Sequence, residues 1–236
     1  MKRFYKMVSV AQAPGGFEIH LDGRPINTQV KHVLCAPTQS LAEAIMGEWA
    51  AQETEIIPDS MPLTQILSTK IDRVSAEREA MSAYVFKYLD TDLLCYRAEE
   101  PPELKARQEA LWSPHLEWFT GQFGAALEVT NGLAALAQDE AAHEAAQEYV
   151  AGLDADRFTV LQLVCSLSGS LVLALAFVEG ATDADQVFAA ARVEEHYKDE
   201  IFNAEKHGPD PAQDKKDKAV MRDLEAAQTY LKFLGQ

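Results

Sequence analysis

Within the seven residues Thr91-Asp92-Leu93-Leu94-Cys95-Tyr96-Arg97 stand an acid, a thiol, a phenol and a guanidinium. Such a set could serve an enzyme centred on Cys95, Asp92 and a distant histidine such as His115 or His143, but a cysteine nucleophile needs a base and a lowered pKa, and its neighbours Tyr96 and Arg97 do not identify that base. It could equally be a buried segment pinned by its own polar groups. Free cysteine is among the most buried residue types, so Leu93, Leu94 and Cys95 read as core, with Asp92 capping a backbone or pairing with an arginine. On physical grounds the buried reading weighs more, and the cysteine-centred enzyme at Cys95 is carried as the alternative.

Other chemistry-bearing patterns are thinner. Glu140 and His143 lie three apart on one helical face, the spacing that di-iron bundles use twice, and the chain has only one such pair. A solvated face explains it better. Glu194, Glu195, His196, Glu200 and Glu205 form a dense acidic stripe, also read as solvated. Ser166-Leu167-Ser168-Gly169-Ser170 lacks the glycine that a hydrolase elbow needs two residues before its serine, and it reads as small residues allowing close helix packing. Neither a G-x-x-x-x-G-K-[ST] loop nor a G-x-G-x-x-G turn is present, which leaves nucleotide binding without support. No cofactor, no metal and no catalytic residue is therefore expected.

The elements that must position these residues divide in two. Phe4 to Val10, Gly15-Gly16, the alternating Phe17, Ile19 and Leu21, and the hairpin signal Asp22-Gly23 predict a small antiparallel sheet. After Pro37, Ser40-Leu41-Ala42-Glu43 fits a capping box opening a helix that carries Leu41, Ile45 and Trp49. From Met61 the pattern is helical: Leu63, Ile66, Leu67, Ile71 and Val74, then Met81, Tyr84, Val85 and Tyr88, then a helix interrupted or kinked near Pro114. Leu127 to Thr130 is a short strand or a loop. After residue 138 three or four helices are expected, one of them opened by Thr182. Strands followed by helices give an α+β fold, with an N-terminal β-containing domain at 1–60 and a helical-bundle domain at 61–236.

Composition narrows the partners. The net charge is −16, of which residues 1–60 hold −2 and the remainder −14. A nucleic-acid binder needs a basic face, so that class is disfavoured. Cys35, Cys95 and Cys165 are odd in number and far apart, which fits a reducing compartment rather than a disulfide framework. Phe158 to Val178 is a charge-free run about long enough to span a bilayer of roughly 30 Å, but Gln162, Ser166, Ser168, Gly169 and Ser170 interrupt it, so it reads as one buried central helix. The basic start Met1-Lys2-Arg3-Phe4-Tyr5-Lys6 lacks the apolar stretch of a secretory signal, which suggests a cytoplasmic protein or an already trimmed organellar chain.

A set of ordered blocks adds a resemblance: Arg3-Phe4-Tyr5-Lys6, Leu21-Asp22-Gly23-Arg24-Pro25, Glu48-Trp49 with Gln52, Met61-Pro62-Leu63-Thr64, Ile71-Asp72, and Thr91 to Ala98. In order and spacing they resemble the assembly chaperones of the ATP synthase F1 sector, the type that attends the alpha subunit. Trp112-Ser113-Pro114 resembles the family's Trp-Asp-Pro, Gly169-Ser170-Leu171 matches, and Glu205, Gly208 and Asp210 resemble its Glu-x-Trp-Gly-x-Asp block, with His207 in place of the tryptophan. Asn27-Thr28-Gln29 departs from the usual Lys-Thr-Pro. The resemblance implies a non-enzymatic chaperone, in the bacterial cytoplasm or the mitochondrial matrix, that shields an unassembled alpha subunit until the beta subunit displaces it. It also implies a partner-binding role for Glu205. Under this reading Leu93, Leu94 and Cys95 are expected to be core, near the junction of the two domains.

Overall fold

In the computed structural model, which describes residues 1–132, 134–202 and 211–235, strands occupy the start and helices the rest, in an α+β order. Strands β1 (Val8–Ala13) and β2 (Gly16–Leu21) pair antiparallel around the two-residue turn Pro14-Gly15. A second two-residue turn, Asp22-Gly23, leads to β3 (Arg24–Pro25), and β4 (Cys35–Ala36) pairs with the other end of β2. Both turn residues have positive φ, 49° at Asp22 and 79° at Gly23, the primed turn that matches strand twist and that this dipeptide favours. The Asp22 carboxylate also accepts the N–H groups of Lys6 and Met7, and these bonds hold its pKa below the usual carboxylate value.

Gly16 begins β2 at φ 133°, and a Cβ built there would lie 2.2 Å from the Ala36 carbonyl oxygen. A side chain would thus push β4 off β2. Gly16→Ala is expected to lower stability by about 1–3 kcal/mol, the usual cost of a disallowed backbone conformation, read as a reduced urea midpoint.

The helices are α1 (Gln39–Ala50), α2 (Pro62–Thr69), α3 (Ser75–Asp90), α4 (Pro102–Phe123), α5 (Glu140–Gly152), α6 (Ala155–Ser168), α7 (Leu171–Val178), α8 (Ala184–Ala191), α9 (Val193–Phe202) and α10 (Pro211–Leu234). A π-helical turn, Lys70–Val74, joins α2 to α3. Several sequence expectations are corrected here. The N-cap of α1 is Thr38, whose hydroxyl accepts from Leu41 N–H, so Ser40 lies inside the helix and forms no capping box. The capping box belongs to α8, where Asp183 and Gln186 exchange bonds one residue beyond Thr182. Helix α4 continues through Pro114, and α5 to α10 exceed the three or four helices expected after residue 138. Leu127 to Thr130 is a loop rather than a strand, with one parallel bridge between Thr130 and Tyr96.

The largest correction concerns the apolar run. It is two helices, because Gly169 takes a left-handed conformation, φ 74°, that ends α6, and the Ser170 side chain accepts from Leu173 N–H to start α7. Glycine after a helix and serine before one are the preferred residues for those positions. No helix among the described residues is long and apolar enough to cross a membrane.

The chain forms two compact units. The first comprises Met1–Arg78, Ala155–Thr159 and Ala226–Gln236. There α1 lies on the sheet and buries Leu41, Ile45 and Trp49, at helical spacing, with Ile19, Leu21 and Ala36. The Asp156 carboxylate accepts from Tyr230 at 2.6 Å and pairs with Lys70 at 3.1 Å. The second unit, Glu79–Asp154 with Val160–Glu225, is helical. Its core holds Leu94, Cys95, Trp112, Phe119, Val164 and most of α7, all fully buried.

Candidate functional site

The Thr91–Arg97 segment lies inside the second unit as a short 3-10 turn, Leu93–Cys95, between α3 and α4. Asp92 is fully buried. One carboxylate oxygen accepts Leu94 N–H at 3.1 Å, and the other accepts Val172 N–H at 3.0 Å from the first turn of α7. The Ser170 hydroxyl and Leu171 N–H also act on it. Asp92 therefore caps two helical turns at once, its own and, from 80 residues upstream, that of α7. A negative group at a helix N-terminus meets unsatisfied amides and the positive end of the dipole. Burial nevertheless dominates, pushing the Asp92 pKa up to about 6 against those hydrogen bonds. In return, Gly169 accepts Leu93 N–H at 3.1 Å, so the two segments are stitched in both directions.

Cys95 is ill suited to act as a nucleophile. It is fully buried, and burial together with the nearby Asp92 charge pushes its thiol up to about 12, with Arg97 opposing weakly. The thiolate is negligible at neutral pH. His143 is engaged with Asp90 at 2.9 Å, and burial of His115 lowers its pKa. Arg97 donates to Ser113 Oγ at 3.1 Å, and its N–H donates to the Thr130 carbonyl at 2.8 Å. Asp92 and Arg97 thus fix the chain's path through separate hydrogen bonds.

The same device recurs in the first unit. Glu48, near the end of α1, accepts the N–H groups of Leu63 and Thr64 and the Thr64 hydroxyl, at 2.7 to 2.8 Å, and so caps α2 from the preceding helix. Burial raises its pKa against those bonds. Asp72, in the π-helical turn, accepts from Thr28 at 2.6 Å and contacts His32 at 3.1 Å. Arg3 donates to the Gln52 carbonyl, Tyr5 to the Trp49 carbonyl, and Gln52 accepts Ile57 N–H. Distant blocks of the sequence are therefore partners in space: Glu48 with Leu63-Thr64, Thr28 with Asp72, Asp92 with Ser170-Leu171-Val172. Sequence reading singled out Asp92 but not its partner, and it missed the capping role of Glu48. The signal for the former was Gly169-Ser170, a helix stop followed by a helix start.

The acidic stripe of α9 is paired rather than simply solvated. Glu200 binds Arg107 at 2.7 Å, Glu194 accepts from Gln108, Glu195 pairs with Arg192, and His196 contacts Asp217. Among the described residues no group of three or more His, Cys, Asp or Glu side chains is placed to hold a metal. Glu205, with His207, Gly208 and Asp210, lies outside the described residues.

The profile of the ATP12 chaperone protein family matches residues 2–120. The chain belongs to the ATP12 chaperone family. That match contains the Glu48, Asp72 and Asp92 pairings on at least one side. Atp12 from Paracoccus denitrificans, as the native protein and as a point mutant, is 31% identical, with a TM-score of 0.87 over 98% of this chain and 97% of the relative. The Atu1473 protein of Agrobacterium tumefaciens is 34% identical, with a TM-score of 0.90 over 99% of this chain and 86% of that one. The likeness to ATP12 proteins thus extends through the helical second unit, beyond the residues the profile matches. As an ATP12-family member the chain has a chaperone role in ATP synthase assembly.

Proposed function

We propose that this ATP12-family chain holds the unassembled alpha subunit of the F1 sector, shields the surface destined for the beta subunit, and is displaced when that subunit binds. Family membership carries the reading, supported by the whole-length likeness to the Paracoccus Atp12. A ring subunit exposes before assembly an apolar interface larger than a soluble monomer tolerates, and a holder that covers it prevents aggregation. Release then follows from mass action, because the beta subunit competes for the same surface. The charge of −16 keeps a loaded holder soluble. A non-enzymatic role accords with the Cys95 thiol, protonated at neutral pH within the core.

The proposed site of action is the bacterial cytoplasm or the mitochondrial matrix, and Glu205 is the proposed client contact. Isolated alpha subunit, warmed with and without the chain, should scatter less light in its presence and co-elute with it on a sizing column. Glu205→Lys should weaken co-elution while leaving thermal unfolding unchanged. Unaltered scattering together with separate elution of the wild-type protein would refute the assignment.

A further inference from the structure

Among the described residues, no strand pairs with the outer edge of β1, the long edge strand of the sheet in the first unit. Ile19, in the middle of β2, donates its N–H to Leu34 and accepts from Ile26, so its backbone polar groups face away from β1. Its cross-strand partner Val10 must then face its own N–H and C=O away from β2, since opposite residues of an antiparallel pair share their bonding state. The same alternation runs outward from there. Asp22 N–H donates to the Met7 carbonyl at 3.0 Å, which makes Met7, Ser9, Ala11 and Ala13 the bonded positions and leaves Val8, Val10 and Gln12 facing outward. Among the described residues no backbone bond or bridge reaches those three from any other segment. The strand is also accessible: Ser9 and Gln12 are exposed, and Val8, Val10, Ala11 and Ala13 are half-buried.

Natural proteins blunt such an edge with a lysine, a proline, a bulge or a very short strand. β1 has none of these: six residues, Val-Ser-Val-Ala-Gln-Ala, uncharged and in unbroken register. The segment leading into it is basic. Residues 1–7 hold Lys2, Arg3 and Lys6 and no acid; the charged Asp22 carboxylate lies near Lys6 and Arg3, and Glu55 stands across a backbone bridge from Lys2, so the segment with these two neighbours keeps a net positive charge. Met1, Phe4 and Met7 are exposed there, while Arg3 and Tyr5 anchor the segment through the Gln52 and Trp49 carbonyls.

We propose that the outer edge of β1 is a docking strand, which takes up an extended segment of the client by backbone hydrogen bonding, the segment being apolar along its length and acidic where it meets Lys2 and Lys6. Backbone bonding supplies affinity without demanding a particular sequence, and the charged end sets direction. A second copy of this chain is a poorer occupant, because it would bring −16 against −16. The inference rests on the reading of the chain as an alpha-subunit holder.

Hydrogen exchange of the full chain, alone and with isolated alpha subunit, tests it, together with Val10→Pro. That variant removes an outward N–H and no β1–β2 bond. The expected result is protection of the Val8, Val10 and Gln12 amides only in the complex, and binding by Val10→Pro weakened about tenfold or more, the order of one or two lost backbone bonds. Unprotected amides in a complex that forms, or a folded Val10→Pro that binds like the wild type, would overturn the docking strand and leave the holder reading intact. Protection in the chain alone, with doubled mass, would assign the edge to a second copy and also overturn it. A wild-type chain that does not bind alpha subunit at all overturns the holder reading, and the docking strand with it. If Val10→Pro does not fold, exchange in the wild type decides.

Discussion

Asp92→Ala should cost about 3–5 kcal/mol of stability, because it strands the Leu94 and Val172 amides in a fully buried place and removes the negative group from the start of α7. Urea unfolding followed by circular dichroism would read it as a lowered midpoint. Asp92→Asn separates charge from hydrogen bonding, since its amide oxygen can still accept one of the two N–H groups. The wild type should show a pH dependence that the asparagine variant lacks. With the folded pKa raised to about 6 and an unfolded value of about 3.9, the native state binds the proton more tightly between those limits. The contribution of Asp92 to stability is therefore greatest below about pH 4, falls by roughly 2–3 kcal/mol as pH rises to about 6, and stays constant above. Other carboxylates titrate in the same window, so the measured quantity is wild type minus Asp92→Asn across pH 4 to 7. A flat difference would show that the carboxylate titrates normally.

Trp112→Ala should be of similar size. Its indole is fully buried in the second unit, and its N–H donates to the Ala190 carbonyl at 2.9 Å, tying α4 to the end of α8. Removing it takes away one of the largest side chains of that core and leaves a cavity, about 3–5 kcal/mol by the usual behaviour of buried tryptophan. Trp112→Phe retains most of the volume and leaves the Ala190 carbonyl unpaired, so its cost should be nearer 1–3 kcal/mol. Thermal melting of both variants checks the order; equal losses would mean that the hydrogen bond, not the volume, dominates.

What could be read in advance was local. Asp22-Gly23 announced its turn because only residues tolerant of positive φ fit there, and Leu41, Ile45 and Trp49 announced a buried helix face by spacing alone. Helix starts were misplaced at Ser40 and Thr182 because each true cap, Thr38 or Asp183, has another polar residue within two positions, and short-range pattern does not choose between neighbours. Composition could not separate one helix from two across Phe158 to Val178, since Gly169 looks like any small residue until its φ is known. The bonds that organise the signature segments, Glu48 to Leu63 and Thr64, Thr28 to Asp72, Asp92 to Val172, join residues 15 to 80 apart. No periodicity encodes such pairings. The family resemblance detected the residues without revealing that they are one another's partners.

The capping of α7 by Asp92 also has a direction in time. Synthesis runs from the N-terminus, so Asp92 leaves the ribosome well before Val172 does. When the apolar run emerges, the acceptor for its interrupted backbone is already there. A nascent chain carrying Asp92→Ala would offer the same apolar run with no side-chain acceptor in place for Val172 N–H. In this chain, a carboxylate made early awaits the later helix start whose amide it will accept.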